Sequence, residues 1–306
     1  MFDDLLSPSA VRSLAQGRLS GPLEVVPFGI PRLDQSIGYW GGRKGVPFGE
    51  YGIIGGASSS GKTQFGLHIL NQASMAGVSS GMISLEMTRE DIMLRLAQSW
   101  TPSIDATRWE PGRWRQEVEA RELLSSQADV REKFRAPVWV NDKASGDLDW
   151  VVAMLDQLLA NGTRFIILDH IQLVKVPGVS NAFDRAELVS ETIRDWAFTN
   201  RATLIALSQL KRQASDDYTR SPTIHDLLGG TTLESNASQI WLLDHSRYRK
   251  DPQRRGGART WIGHGKNRLG ESRYWVPVYV DHPRLKFTEA DTQERDSWPD
   301  HPKRKR

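Results

Sequence analysis

Eight consecutive residues, Gly56-Ala57-Ser58-Ser59-Ser60-Gly61-Lys62-Thr63, satisfy G-x-x-x-x-G-K-[ST] at every fixed position. Glycines let a backbone approach phosphate closely, and successive N–H groups at the start of a helix form an anion-binding nest. A lysine at the seventh place reaches the β- and γ-phosphates, and the hydroxyl of Thr63 is suited to Mg²⁺. Gln64 opens the helix that follows and is grouped with the loop as a nucleotide contact. The strand-like run from Tyr51 to Ile54 precedes the motif, and an apolar helical pattern (Phe65, Leu67, Ile69, Leu70) follows it. That strand–loop–helix setting is what a phosphate loop requires.

Cleaving a bound triphosphate requires further groups. Phe165-Ile166-Ile167-Leu168 is a buried-strand pattern ending in Asp169, the expected second holder of Mg²⁺. Glu86, after Met82-Ile83-Ser84-Leu85, is the candidate to activate the attacking water. The same residue could instead be an acidic charge near a helix start at Thr88. Gln209 follows the strand Leu204–Leu207 and is a candidate sensor of the γ-phosphate; the alternative is a polar strand exit.

These residues need a frame that brings strand ends together. Short β-rich runs occur at 81–85, 138–141, 165–168, 203–207 and 239–243, and helical patterns at 61–76, 88–99, 147–160 and 183–199. The alternation predicts an α/β fold with a mostly parallel central sheet flanked by helices. After residue 238 the pattern changes to strands without helices, at 259–264, 274–280 and 284–287, which predicts antiparallel strands added at the C-terminal edge. Residues 1–24 read as a separate arm with a short helix at 8–17. Residues 25–290 read as one catalytic domain, and 291–306 as a basic, disordered tail ending Lys303-Arg304-Lys305-Arg306. The Trp- and Arg-rich stretch 101–135 reads as helical, with Trp100, Trp109 and Trp114 packing a helical subdomain; stacking on bases is the alternative.

Composition removes several classes. With no cysteine among 306 residues, disulfide frameworks and thiolate metal sites are excluded. No apolar stretch approaches a membrane span, and the acidic start is unlike a secretory signal, so the expectation is a cytoplasmic protein with no membrane partner. A net charge of +3 permits a nucleic-acid partner without requiring one.

Four further motifs occur in order with the phosphate loop: Ser84-Leu85-Glu86-Met87, Asp169-His170-Ile171-Gln172-Leu173, Leu207-Ser208-Gln209-Leu210-Lys211-Arg212 and Lys266-Asn267-Arg268-Leu269-Gly270. Together the five resemble the RecA-fold motor domain of DnaB-type replicative helicases over roughly residues 25–287. The resemblance implies a RecA-like P-loop NTPase core that binds ATP and Mg²⁺ between the subunits of a ring, a hexamer, around single-stranded DNA. It implies that Lys62 and Thr63 hold phosphate and Mg²⁺, Glu86 is the catalytic base, Asp169 the second acid and Gln209 the sensor. Lys266 and Arg268 would reach the neighbouring subunit's γ-phosphate; without the resemblance they read as a solvated basic turn. A primase or a helicase loader is an implied partner.

Segment 226–234 (Asp226-Leu227-Leu228-Gly229-Gly230-Thr231-Thr232-Leu233-Glu234) aligns with the family's central-channel loop. Backbone N–H groups of Gly229, Gly230 and Thr231 are the expected phosphate contacts, and Arg212 is a further DNA-binding candidate. There are departures. His170 stands where the family usually has Tyr, Leu228 where many relatives have Arg, and the family's N-terminal collar has no counterpart, leaving only the helix at 8–17 as an inter-subunit linker. Two other readings stay open at this point: a RecA- or RadA-like recombination or repair ATPase forming filaments, and a replisome loader or regulatory ATPase.

Overall fold

Apolar residues on successive positions of the inner strands point to opposite faces, and both faces are covered. The computed structural model describes residues 10, 12–13, 25–37, 44–99, 135–211, 220–244, 258–272, 274–281 and 284–290. The helix expected at 8–17, Arg212, Trp100, Trp109, Trp114, nearly all of the stretch 101–135 and the tail lie wholly or largely outside these residues.

The described strands are β1 (Val25–Val26), β2 (Val46–Pro47), β3 (Tyr51–Gly56), β4 (Ser80–Ser84), β5 (Val138–Asp142), β6 (Phe165–Asp169), β7 (Thr203–Gln209), β8 (Gln239–Asp244), β9 (Ala258–Asn267), β10 (Trp275–Asp281) and β11 (Lys286–Glu289). The described helices are α1 (Pro31–Ile37), α2 (Lys62–Met75), α3 (Arg89–Gln98), α4 (Leu148–Ala160), α5 (Ala182–Asn200) and α6 (Gly230–Asn236). β1 and β2 form a small antiparallel pair. The other nine form one sheet in the order β11-β10-β9-β8-β3-β7-β6-β4-β5. Strands β8 through β5 in that order run parallel, whereas β9, β10 and β11 are antiparallel additions. This is the mostly parallel α/β sheet with antiparallel C-terminal strands that the pattern predicts.

The period-2 alternation sorts the strands' side chains. Ile54, Met82 and Ile167 face Phe65, Leu67, Ile69 and Leu70 of α2 and Ile92 and Leu96 of α3. Ile53, Ile83, Ile166 and Leu168 face Val151, Leu155 and Leu158 of α4, Val189 and Ile193 of α5, and Leu233 of α6. Asp147 caps α4 by accepting from Trp150 N–H (2.9 Å), and Asn181 caps α5 by accepting from Phe183 N–H (2.9 Å). Trp196 Nε1 donates to Asp156 Oδ1 (2.7 Å) and locks the two helices together.

Two differences from the sequence reading have physical causes. The last strand lies at 286–289 rather than 284–287, because Arg284 and Leu285 form the turn and register sets Tyr279 opposite Thr288. Helix α6 gives no periodic signal: it is seven residues long, begins with glycine and contains threonine, serine and asparagine. Burial of Leu233 against the α5 face holds it.

Candidate active site

Four neighbouring parallel strands, β3, β7, β6 and β4, end at one edge of the sheet, and their exits carry Gly56, Gln209, Asp169 and Glu86. Register aligns them: Gly56 lies opposite Gln209, and Ser84 opposite Asp169. The crevice at the C-terminal ends of parallel strands is where open α/β sheets bind ligands.

The loop from Gly56 to Gly61 turns tightly into α2. Ser59 and Gly61 have positive φ (57° and 87°), and Ser60 N–H donates to Ala57 O at 3.1 Å. A side chain at Gly56 would collide with Ser60 Oγ. No side chain caps the N-terminus of α2, so its first N–H groups are available to an anion. Ser60 Oγ is itself buried without a hydrogen-bond partner. Lys62 Nζ donates to the carbonyls of Gly56 (3.0 Å) and Ala57 (2.8 Å). Burial pushes the Lys62 ammonium below its ordinary range, and the nearby carboxylates of Asp169 and Glu86 oppose that shift.

Thr63 Oγ1 donates to Asp169 Oδ2 at 2.7 Å. Adjacent oxygen ligands of an octahedral ion with metal–oxygen distances of 2.0–2.1 Å lie about 2.9 Å apart, so the pair fits Mg²⁺. Asp169 is buried, and desolvation raises its carboxyl above the ordinary range, against the opposing hydrogen bond from Thr63. A buried carboxylate bonded to Thr63, an unpartnered Ser60 hydroxyl and a desolvated lysine match a site built for a cation and phosphate together.

Glu86 sits in a bend held by Ser84, whose hydroxyl donates to Met87 O (2.7 Å) and accepts from Met87 N–H (2.9 Å). Leu85 N–H donates to Asp169 O (2.7 Å), tying the β4 exit to the β6 exit. Thr88 Oγ1 accepts from Asp91 N–H and caps α3, while Glu90 and Asp91 supply the acidic first turn. Glu86 thus stands outside that helix, with Oε2 3.8 Å from His170 Nε2. Gln209 Nε2 lies 3.2 Å from the same ring nitrogen. Because an amide NH₂ only donates, His170 Nε2 is the acceptor, and Nδ1–H faces Gln172 Oε1 at 3.0 Å. The unusual His170 is therefore held by Gln209 and Gln172, and its Nε2 lies 3.8 Å from the Glu86 carboxylate without a hydrogen bond to it.

Lys266 and Arg268 are elsewhere. Asn267, between them, pairs with Gln239 at the start of β8, and Gln239 pairs with Gly52 at the start of β3. Four residues of strand, roughly 13 Å, separate Gly52 from Gly56. Lys266 Nζ donates to Glu234 O, and Arg268 Nη2 to Ser235 O at 2.7 Å. Both cations thereby cap the C-terminal end of α6, as a helix dipole favours.

Gly229 (φ 120°) and Gly230 (φ 55°) lie where β7 and α6 approach one another, and Leu228 N–H donates to Gln209 O at 2.8 Å. Thr231 is exposed on the first turn of α6. Arg220 forms two bonds to Asp226, at 2.6 and 2.8 Å, and Asp226 closes a capping box with Thr223. The Thr-x-x-Asp spacing is the signal that could have found this clasp. Gln172, quoted within a motif but given no role, touches three elements.

Residues 26–289 match the model of the DnaB-like helicase C terminal domain. The chain is 28% identical over 229 residues to the replicative DNA helicase DnaB of Buchnera aphidicola subsp. Acyrthosiphon pisum, covering 73% of this chain and 49% of that protein. It is 25% identical over 221 residues to the DnaB of Haemophilus influenzae, covering 70% and 46%. The chain spans about half the length of the curated relatives it matches. Among solved structures, an ATPase domain superposes with a TM-score of 0.77 at 21% identity, covering 94% of this chain and 100% of that one. A DnaB-like replicative helicase, described with its interactions with primase, superposes at 0.73 and 22%, covering 94% and 68%. Those two establish the shared fold. Taken with the phosphate loop and the strand-end carboxylates, the matched residues 26–289 place this chain in the family of DnaB-like helicase C-terminal domains.

Proposed function

We propose that this chain is the ATP-hydrolysing motor of a DnaB-like helicase or translocase that works as a hexameric ring on single-stranded DNA during replication. One observation carries the reading. The loop, Thr63, Asp169, Glu86 and Gln209 share one edge of the sheet, whereas Lys266 and Arg268 lie by the opposite ends of the same strands. A site whose cationic fingers cannot reach its own phosphate loop is complete only with a neighbour.

In this mechanism the α2 N-terminus and Lys62 bind the phosphates of ATP, and Thr63 and Asp169 hold Mg²⁺. Held there, Mg²⁺ would supply charge neutralisation to the bound phosphates. Glu86 orients and deprotonates the attacking water. Gln209 faces the γ-phosphate. Lys266 and Arg268 of one subunit meet the charge developing on the phosphate held by the next. The loop around Gly229, Gly230 and Thr231 contacts the DNA backbone, with Arg212 as a further contact and a primase or a loader as docking partner.

Strand separation on a forked duplex with a single-stranded 5′ tail tests this, with Mg·ATP and Lys62→Ala as control. Unwinding by the wild type alone is the expected result. Long helical filaments in electron micrographs, in place of closed rings, would instead assign the chain to recombination.

A further inference from the structure

Gln172 has every hydrogen-bonding position of its side chain engaged. It lies in the 3₁₀ turn Ile171–Leu173 that follows β6. Its Oε1 accepts from Gln209 N–H (3.2 Å) and faces His170 Nδ1 (3.0 Å). Its Nε2 donates to Ser208 Oγ (2.8 Å) and to Leu228 O (2.8 Å). A primary amide has two donors and room for two incoming bonds, so this one is saturated. Its partners come from the β6 exit, the β7 exit and the loop before α6. Displacement of any one of them must break a bond or carry the others along.

We propose that Gln172 is the positioning residue through which the nucleotide-facing pair His170 and Gln209 sets the position of the loop at Leu228–Gly230. The inference rests on the motor reading above and adds to it a named link within one subunit. Loop attachment alone does not need Gln172. Leu228 N–H bonds Gln209 O, and Lys211 N–H bonds Asp226 O (both 2.8 Å), so the backbone holds the loop on β7. The amide contributes a connection to the β6 exit, where Asp169 and His170 stand. Immediately beyond Leu228, Gly229 and Gly230 occupy positive φ, and nothing lies within 4 Å of where a Gly230 side chain would begin. Glycine at both positions lets the backbone turn into α6 just past the point that Gln172 grips.

The test is the affinity for a fluorescent oligothymidine, read by anisotropy with Mg·ADP and with a slowly hydrolysed Mg·ATP analogue. Wild type, Gln172→Leu, Gln172→Glu and Ser208→Ala are compared, with thermal melts to verify folding. Allosteric couplings commonly span about 5–150-fold, and the wild type is expected to show a ratio of about tenfold between the two nucleotide states. Gln172→Leu collapses that ratio to within about twofold of unity. Gln172→Glu keeps the acceptor for Gln209 but cannot donate to Leu228 O, and collapses it equally. Ser208→Ala leaves the Leu228 bond in place and keeps the ratio.

A wild-type ratio retained in both Gln172 variants overturns the link while leaving the motor reading intact. A nucleotide affinity weakened more than about tenfold in Gln172→Leu overturns it in favour of a purely structural role. A wild type that binds the oligonucleotide in neither nucleotide state overturns the motor reading, and the link with it.

Discussion

The two ends of the parallel strands hold their cations in opposite ways. At the nucleotide edge, Lys62 is buried between loop carbonyls and within the field of two carboxylates, one of them bonded to Thr63. All of those groups belong to this chain, and phosphate and Mg²⁺ are the species that would satisfy them. At the opposite end, Lys266 and Arg268 rest on carbonyls that end α6. Helix α6 begins at Gly230, so these two cations and the Gly229–Gly230 turn sit at the two ends of one seven-residue element. The nucleotide edge is assembled within the chain; on the proposed motor reading, the other edge is completed by a neighbour. A neighbour that draws those side chains away removes two caps from the helix that carries the loop.

The largest expected effect breaks that contrast directly. Arg268→Ala should reduce DNA-stimulated ATP turnover by about 10³–10⁵-fold, the usual worth of an arginine finger. Mixing Arg268→Ala with Lys62→Ala chains should then restore activity. In a random mixture about a quarter of the interfaces join an intact phosphate loop to an intact finger, as a head-to-tail ring permits. Steady-state hydrolysis of the mixture measures this, and failure to recover any activity would mean that loop and finger act within one subunit.

A smaller effect concerns what holds α1 beneath the finger strand. Asn267 Nδ2 donates to Ser36 O (2.7 Å), and Asp34, on the same helix, accepts from Phe28 N–H (2.6 Å) and Gly29 N–H (2.9 Å). Burial pushes the Asp34 carboxyl up to about 7 against those hydrogen bonds. A folded-state pKa above the unfolded value stabilises the fold most at low pH, and that contribution is lost as pH rises through about 7. Urea midpoints should show the wild type losing stability relative to Asp34→Asn across this window, by at most about 1.4 kcal/mol per pH unit. A difference constant with pH would show that Asp34 does not titrate there.

The smallest sharpens the DNA side. Burial alone would raise Asp226, but its bonds from Arg220 and Thr223 outweigh that and hold its carboxyl at about 2. The clasp is thus intact throughout the neutral range. Arg220→Ala loosens the segment leading to Leu228, and single-strand affinity should fall by no more than about fivefold, since such a pair is worth about 0.2–1 kcal/mol. Anisotropy titration measures it; a loss beyond a hundredfold would make Arg220 itself a DNA ligand.

Legibility followed the range of the interactions. The phosphate loop and the buried strand ending in Asp169 depend on neighbours within a few residues, so type and spacing display them, and the Thr223–Asp226 capping box had the same kind of local signal. The β/α alternation likewise follows from which residues can be buried on one face or two. Helix α6 and the shifted β11 depend on packing against distant elements and left no periodic trace. His170 shows the same division: its identity was visible as a departure, but its contacts come from positions 86, 172 and 209.

The sequence by itself determined which groups are candidates to bind phosphate and metal, because that pattern is written in one contiguous loop and one strand end. It also determined a parallel core with an antiparallel edge, because period and apolar content set strand and helix locally. Only the tertiary structure decided that Lys266 and Arg268 face away from their own phosphate loop, since strand order and register, not spacing, set which ends meet. The same folding brought Gln172 against β7 and the loop at Leu228, a contact 56 residues apart along the chain that no local pattern encodes.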